Sequence, residues 1–154
     1  MKSEGTSLRP VLIKPFENTS HRSQVIALWQ GVFGYQTAHN RPTLAIDKKL
    51  DVSDALFFVA LLDDVVVGTA MAGYDGHRGW IYSVAVHPLQ RKRGIGSQLV
   101  LHAERALSAK GCMKINLQIL QSNKEVAAFY LSLGYVVEER VSMSKLIGEN
   151  IPPV

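Results

Sequence analysis

The 154 residues contain a single cysteine, Cys112. One thiol excludes any intrachain disulfide and fits a reducing compartment. Long hydrophobic runs are also missing: no apolar stretch approaches the ~20 residues that a membrane-spanning helix needs. Met1-Lys2-Ser3-Glu4-Gly5 lacks the apolar core of a signal peptide, so a cytoplasmic protein with no membrane partner is expected. The histidines, His21, His39, His77, His87 and His102, have no metal-ligand spacing with acidic or cysteine partners, so no metal is expected. Apart from Arg91 to Arg93 the basic residues are scattered. There is no basic helix and no aromatic platform beside a basic stripe, which argues against nucleic acid as a partner. No repeat, low-complexity tract or linker divides the chain, so residues 1–154 read as one domain.

Hydrophobic residues make up 47% and charged residues 19%, the balance of a globular chain with a proper core. The formal net charge of +4 suits a small polyanionic ligand. Residues 8–14 read as a first strand, with Pro10 suiting an edge. Val25, Leu28, Trp29 and Val32 place a helix at about 20–33, and a shorter one is expected around 43–51. The continuous apolar run of residues 55–62 predicts a strand covered on both faces. Asp63-Asp64 turns the chain into a strand from Val65 to Gly73, and Asp75-Gly76 turns it again into residues 79–86. A helix over 94–110 puts Ile95, Leu99, Ala103, Ala106 and Leu107 on one face and stops at Gly111, leaving His102 and Glu104 as solvated positions. Alternation from Met113 to Leu120 predicts a strand with Cys112 buried at its start, and a helix follows at 123–132. Two last strands are expected near 135–139 and 141–146.

The stretch from Val84 to Gly96 joins a buried strand, a basic Gly-rich turn and a helix start. Such a turn aims backbone N–H groups at one spot, at the positive end of the following helix, which suits a phosphate. Gly94 and Gly96 remove side chains that would hold a phosphate away from the backbone, and Arg91, Lys92 and Arg93 add positive charge. No P-loop pattern is present. A dinucleotide fingerprint would need a third small residue where Leu99 stands.

Arg91-Lys92-Arg93-Gly94-Ile95-Gly96 instead fits the pattern Q/R-x-x-G-x-G/A, and the chain thereby resembles the GNAT acetyltransferase superfamily, whose pyrophosphate-cradling turn has this form. A second stretch, Asn123 to Tyr135, resembles that family's N-x-x-A-x-x-F/L-Y-x-x-x-G-F/Y motif, with Val126 where alanine is usual. The segment from Gly73 to Gly79 and the ending Ser142-Met143-Ser144-Lys145 look like those of a bacterial YpeA-like branch. The resemblance implies a GNAT fold of the α/β (α+β) class: a mixed central sheet of about seven strands with splayed middle strands, and about four helices.

It also implies direct transfer of an acetyl group from acetyl-CoA, as co-substrate, to the primary amine of an acceptor in a ternary complex. The residues this assigns to the cofactor are Val84, Ala85 and Val86 on the strand, Arg91, Lys92, Arg93, Gly94, Ile95, Gly96 and Ser97 at the turn, and Asn123 and Tyr130 in the second motif. Backbone N–H groups at Val84 to Val86 would face the developing oxyanion, and Tyr130 matches the residue that assists the leaving thiolate. Asn123 can cap its helix and still offer an amide.

An acid is often found on the strand before the turn, but Trp80 to Val86 holds no Asp or Glu. Candidate bases elsewhere are Asp75, His77, His39, Asp47 and Asp51, with proton removal through water as the alternative. The acceptor, a small-molecule or peptide amine, is expected beside residues 34–54 and the Asp75–His77 turn, where Tyr35 and Asp54 also lie. Exposed edge strands would suit a homodimer. The missing strand acid keeps a second reading open, a non-catalytic acyl-CoA-binding regulatory module of the same fold.

Overall fold

The computed structural model describes residues 9–34 and 38–148. The elements run β1 (Leu12–Pro15), α1 (Asn18–Phe33), α2 (Pro42–Val52), β2 (Phe57–Leu62), β3 (Val65–Tyr74), β4 (Gly79–Val86), α3 (Ile95–Ala109), β5 (Ile115–Asn116) and α4 (Lys124–Ser132). Short 3-10 turns occupy Ala38–Asn40 and Pro88–Gln90. The five strands form one sheet in the order β1-β2-β3-β4-β5, antiparallel except where β4 meets β5.

The apolar run at β2 becomes intelligible once the two faces are separated. Phe57, Val59 and Leu61 pack with Val25, Leu28 and Trp29 of α1 and Ile46 of α2. Phe58, Ala60 and Leu62 point the other way, with Ile95, Leu99, Val100, Ala103 and Leu107 of α3. Successive strand side chains alternate, so a strand with helices on both sides has no polar face to keep. The Asp63-Asp64 turn follows with φ of 50° and 63°, the paired left-handed residues that let a two-residue hairpin match strand twist.

Four expectations are corrected. The first strand runs from Leu12 to Pro15 rather than over 8–14, and Leu8 lies outside the described residues. Only Ile115 and Asn116 of the expected 113–120 strand make ladder pairs, because β4 diverges beyond them. No strand forms over 135–139 or 141–146, so among the described residues the sheet has five strands, not seven. Valine-rich alternation favours extended chain, but a strand also needs a backbone partner. Among the described residues, the chain after Tyr135 is held to the β5 segment by side chains rather than ladder pairs: Lys114 Nζ to Glu138 Oε2 at 2.8 Å and Gln118 Nε2 to Ser142 Oγ at 2.6 Å. Finally, Cys112 is half-buried before β5, its thiol donating to the Lys114 carbonyl at 3.3 Å, rather than buried at a strand start.

Candidate active site

Two structural facts open the site. The first is the divergence of β4 and β5. They pair only at Gly79–Ile115 and Trp80–Asn116, so from Ile81 to Val86 one edge of β4 has no strand partner among the described residues. The second is a bulge in β4. The register slips between Thr69–Ala85 and Met71–Tyr82, and Ser83 takes a φ of 50°. A regular strand would place Ile81 and Ala85 on the same face. Here Ile81 joins the α3 side and Ala85 the α1–α2 side, which one inserted residue makes possible.

A left-handed serine needs support from its surroundings. It comes from a buried relay: the Trp29 indole Nε1 donates to Thr69 Oγ1 at 2.8 Å, and Thr69 Oγ1 donates to the Ser83 carbonyl at 2.9 Å. Both Trp29 and Thr69 are fully buried. Thr69→Val should remove the hydroxyl from both bonds and cost about 2–4 kcal/mol of stability, whereas Thr69→Ser should recover most of it; denaturant unfolding of the two variants checks this.

After the bulge, β4 leads through the 3-10 turn into α3. Lys92 and Gly94 are both left-handed, with φ of 63° and 77°, so the turn is a concave run of backbone N–H groups. α3 begins at Ile95 with no side-chain cap and no acidic residue in its first turn. Its first backbone N–H groups therefore face outward without a protein carboxylate to satisfy them. Arg91 and Lys92 are exposed beside them, and Arg93 donates to Gln90 Oε1. Ile95 itself points into the core, so only its backbone faces the turn.

The two motifs meet at Gly96. A Cβ there would lie 3.2 Å from Phe129 Cζ and 3.7 Å from Val86 Cγ2. Hence Gly96 is needed first for the close approach of Phe129, whereas the demand at Gly94 is conformational, since no atom lies within 4 Å of its would-be Cβ. Asn123 caps α4, its Oδ1 accepting from the Val126 N–H at 3.2 Å. Next to Phe129, Tyr130 is buried, edge-on to Phe129 (4.9 Å, 73°) and Tyr135 (5.4 Å, 78°). Burial pushes the Tyr130 phenol up to about 12. Tyr135 donates to Glu104 Oε2 at 2.6 Å, and burial, then that hydrogen bond and the Glu104 charge, push its phenol well up. Glu104 is thus no solvated bystander: it anchors the ring against which Tyr130 packs. His102 is likewise half-buried, edge-on to Phe58 at 4.7 Å, with its basicity lowered first by burial and then by Arg105.

On the α2 side of β4 lies a cavity of about 620 Å³. Lys49 and Asp54 line it from the end of α2 and the loop beyond, Tyr74 and Asp75 from the β3–β4 hairpin, and Trp80 and Tyr82 from β4. Gln118 reaches it from across the divergence. Of the acidic and histidine candidates, Asp75 and Asp54 line this cavity. Asp47 pairs with Arg22 at 2.8 Å, while His39, Asp51 and His77 are exposed and lie outside its lining. Tyr35 lies outside the described residues.

Lys49 is buried, bonded to Asp54 Oδ2 at 2.7 Å and to the Ala72 carbonyl, with its ammonium 5.6 Å from the centre of the Tyr82 ring. Asp75 Oδ1 accepts from the N–H groups of Arg78 at 2.7 Å and His77 at 2.8 Å. These two bonds, Arg78 first, hold its carboxyl below the usual range, helped by the Trp80 side chain. Lys49, Trp80, Tyr82 and the Trp29–Thr69–Ser83 relay carried no motif. For Trp80 and Tyr82 the sequence trace is their aromatic alternation on a strand without acids.

A model of the acetyltransferase (GNAT) family matches residues 22–135. The chain belongs to that family. An acetyltransferase of Yersinia pestis (strain Pestoides F) is 36% identical over 122 residues, 79% of this chain and 86% of that protein, and one of Yersinia pseudotuberculosis matches equally. Among solved structures, the aminoglycoside N-acetyltransferase AAC(6')-Iy in complex with CoA superposes with a TM-score of 0.74 at 22% identity, covering 95% of this chain and 99% of that one. The PaiA N-acetyltransferase of Thermoplasma acidophilum, in complex with coenzyme A, gives 0.69 at 17%, covering 86% and 93%. In this GNAT chain the turn after β4 and the α4 motif both fall inside the matched residues.

Among the described residues no group of three or more His, Cys, Asp or Glu is placed to hold a metal ion, and no helix is long and apolar enough to cross a membrane.

Proposed function

We propose that residues 1–154 form one acetyl-CoA-dependent N-acetyltransferase domain acting in the cytoplasm on a small-molecule amine. The observation that carries this is the meeting of the uncapped α3 start with Phe129, the α4 neighbour of Tyr130, at one end of the β4–β5 divergence, and of the lined cavity with the same strand from its other face. The residues fit the cofactor: a concave run of backbone N–H groups, Arg91 and Lys92 beside it, and an open edge on β4 for an extended amide-bearing chain. Acetyl-CoA would supply an activated acetyl group as a thioester.

The chain's own groups do the rest. The N–H groups at Ile95, Gly96 and Ser97 and the charges of Arg91 and Lys92 hold the diphosphate. The unpartnered edge of β4 from Val84 to Val86 offers backbone donors to the thioester oxygen. Asn123, whose carbonyl oxygen caps α4, keeps its NH₂ for the pantetheine. Tyr130 offers its hydroxyl to the sulfur.

The acceptor amine must lose a proton before it attacks. Asp75 is a poor base for that, because its carboxyl is held low, and Asp54 is committed to Lys49 and to the Leu56 N–H. Asp75 serves as a fixed negative charge that draws in the ammonium, and water at the cavity mouth takes the proton. The rate should therefore rise with pH through the amine's own titration. Thiol release from acetyl-CoA, measured with a panel of amines, amino acids and peptides, tests the assignment; Asp75→Asn should lower kcat/KM for the best acceptor by about tenfold, the removal of one charge contact. CoA that binds with no turnover of any amine would favour the binding-module reading.

A further inference from the structure

The cavity's walls say more than "amine". Three of its lining side chains, Tyr74, Trp80 and Tyr82, are aromatic, and Val52 adds an aliphatic surface. Trp80 and Tyr82 lie two apart on β4, on the same side of the strand. Tyr82 is 42% exposed and Trp80 and Tyr74 are half-buried, so these rings retain surface for a ligand to cover. The charges in the same wall nearly cancel. The single cation of the wall, Lys49, is committed: its ammonium donates to the Asp54 carboxylate and to the Ala72 carbonyl and lies 5.6 Å from the centre of the Tyr82 ring. Asp54 is consumed with it. Asp75 is the other carboxylate of the wall: its Oδ1 is held by the backbone N–H groups of His77 and Arg78, and the Arg78 side chain, whose charge acts on it, is exposed and outside the cavity wall, so no side-chain cation of the wall neutralises it.

From this juxtaposition we infer that the acceptor is a compact monoamine with a flat apolar body, an arylalkylamine by class, its ammonium at Asp75 and its ring against Tyr74, Trp80 and Tyr82. The inference rests on the acetyl-transfer reading above. An aromatic wall rewards a flat apolar body and, through its ring faces, a cation. One free carboxylate matches one ammonium. A polycation would bring two or more charges into a wall with no further carboxylate, and a phosphorylated amine would find no free cation. The volume of about 620 Å³ is that of a small-molecule site.

The test uses the full chain, acetyl-CoA and four acceptors: 2-phenylethylamine, spermidine, neamine and glucosamine 6-phosphate. Thiol release should give 2-phenylethylamine a kcat/KM at least tenfold above each of the others. Trp80→Leu and Tyr82→Leu should each raise its KM by about tenfold with kcat nearly unchanged, as expected when a stacking surface is lost but the reacting geometry stays. Tyr82, the more exposed of the two, guards against a folding defect at Trp80. Spermidine or neamine turned over as well as or better than 2-phenylethylamine would overturn the inference and leave the acetyltransferase reading standing. KM unmoved in both leucine variants would also overturn it. Turnover of no amine, with CoA bound, would overturn both.

Discussion

Ser97→Asp is expected to cut CoA affinity by ~100-fold or more while the melting temperature holds or rises. The two effects have opposite signs because they come from the same field. Ser97 is the third residue of α3, in a first turn that has neither an acidic residue nor a side-chain cap. An aspartate there meets unpaired N–H groups and the positive end of the helix, which stabilises a helix by ~0.3–1 kcal/mol. A diphosphate wants those same N–H groups. Two like charges ~5 Å apart at an effective dielectric near ~20 repel by ~3 kcal/mol, a factor of ~100 or more in Kd. Calorimetric titration with CoA and thermal unfolding read the two signs separately. Gly96→Asp is less informative, since its Cβ would also press on Phe129 at 3.2 Å. CoA binding within threefold of the parent in a folded Ser97→Asp protein would remove the turn from the site.

Tyr130→Phe is expected to lower kcat by ~10–100-fold with CoA affinity nearly intact, the loss of a hydrogen bond to a charged group worth ~1.5–3 kcal/mol. The size follows from the phenol's environment. Burial holds it at about 12. A thiol titrates near ~8.5, so handing a full proton to the departing thiolate would run uphill by several kcal/mol. Tyr130 therefore stabilises developing charge on sulfur by hydrogen bonding, with the proton arriving from solvent. The same elevation keeps the phenol protonated, so the wild-type pH–rate profile should show no falling limb from Tyr130 below pH ~11. Phenylalanine preserves the edge contacts with Phe129 and Tyr135, so stability should change little. A drop under threefold would assign Tyr130 to packing alone.

The Tyr135–Glu104 bond shows why such a site is hard to read from residue order. Glu104 sits on α3 and Tyr135 follows α4, 31 residues away. On a helical wheel Glu104 is one more charged residue beside an apolar stripe. Only the docking of α4 against α3 turns it into the acceptor that fixes a ring beside the proposed catalytic hydroxyl.

What the sequence determined by itself was whatever depends on near neighbours in the chain. The turn from Arg91 to Gly96, the caps and stops at Asn123 and Gly111, the helix faces of α1 and α3 and the two hairpins are set by spacings of one to seven residues, and these stand in the structure close to where the pattern puts them. The same local logic overextended β5 and placed strands after residue 134. Alternation records a preference for extended chain, but a ladder exists only where a second backbone lies alongside.

Tertiary structure decided the rest: where β4 and β5 part, the bulge at Ser83, and the cavity with Lys49 silenced by Asp54 and Asp75 left charged. The bulge depends on Trp29 and Thr69, 40 residues apart in the chain, meeting under β4. No local signal encodes it, since a serine has no intrinsic reason to take a left-handed φ; the buried hydroxyl relay and the packing of Ile81 and Ala85 on opposite faces impose it from outside.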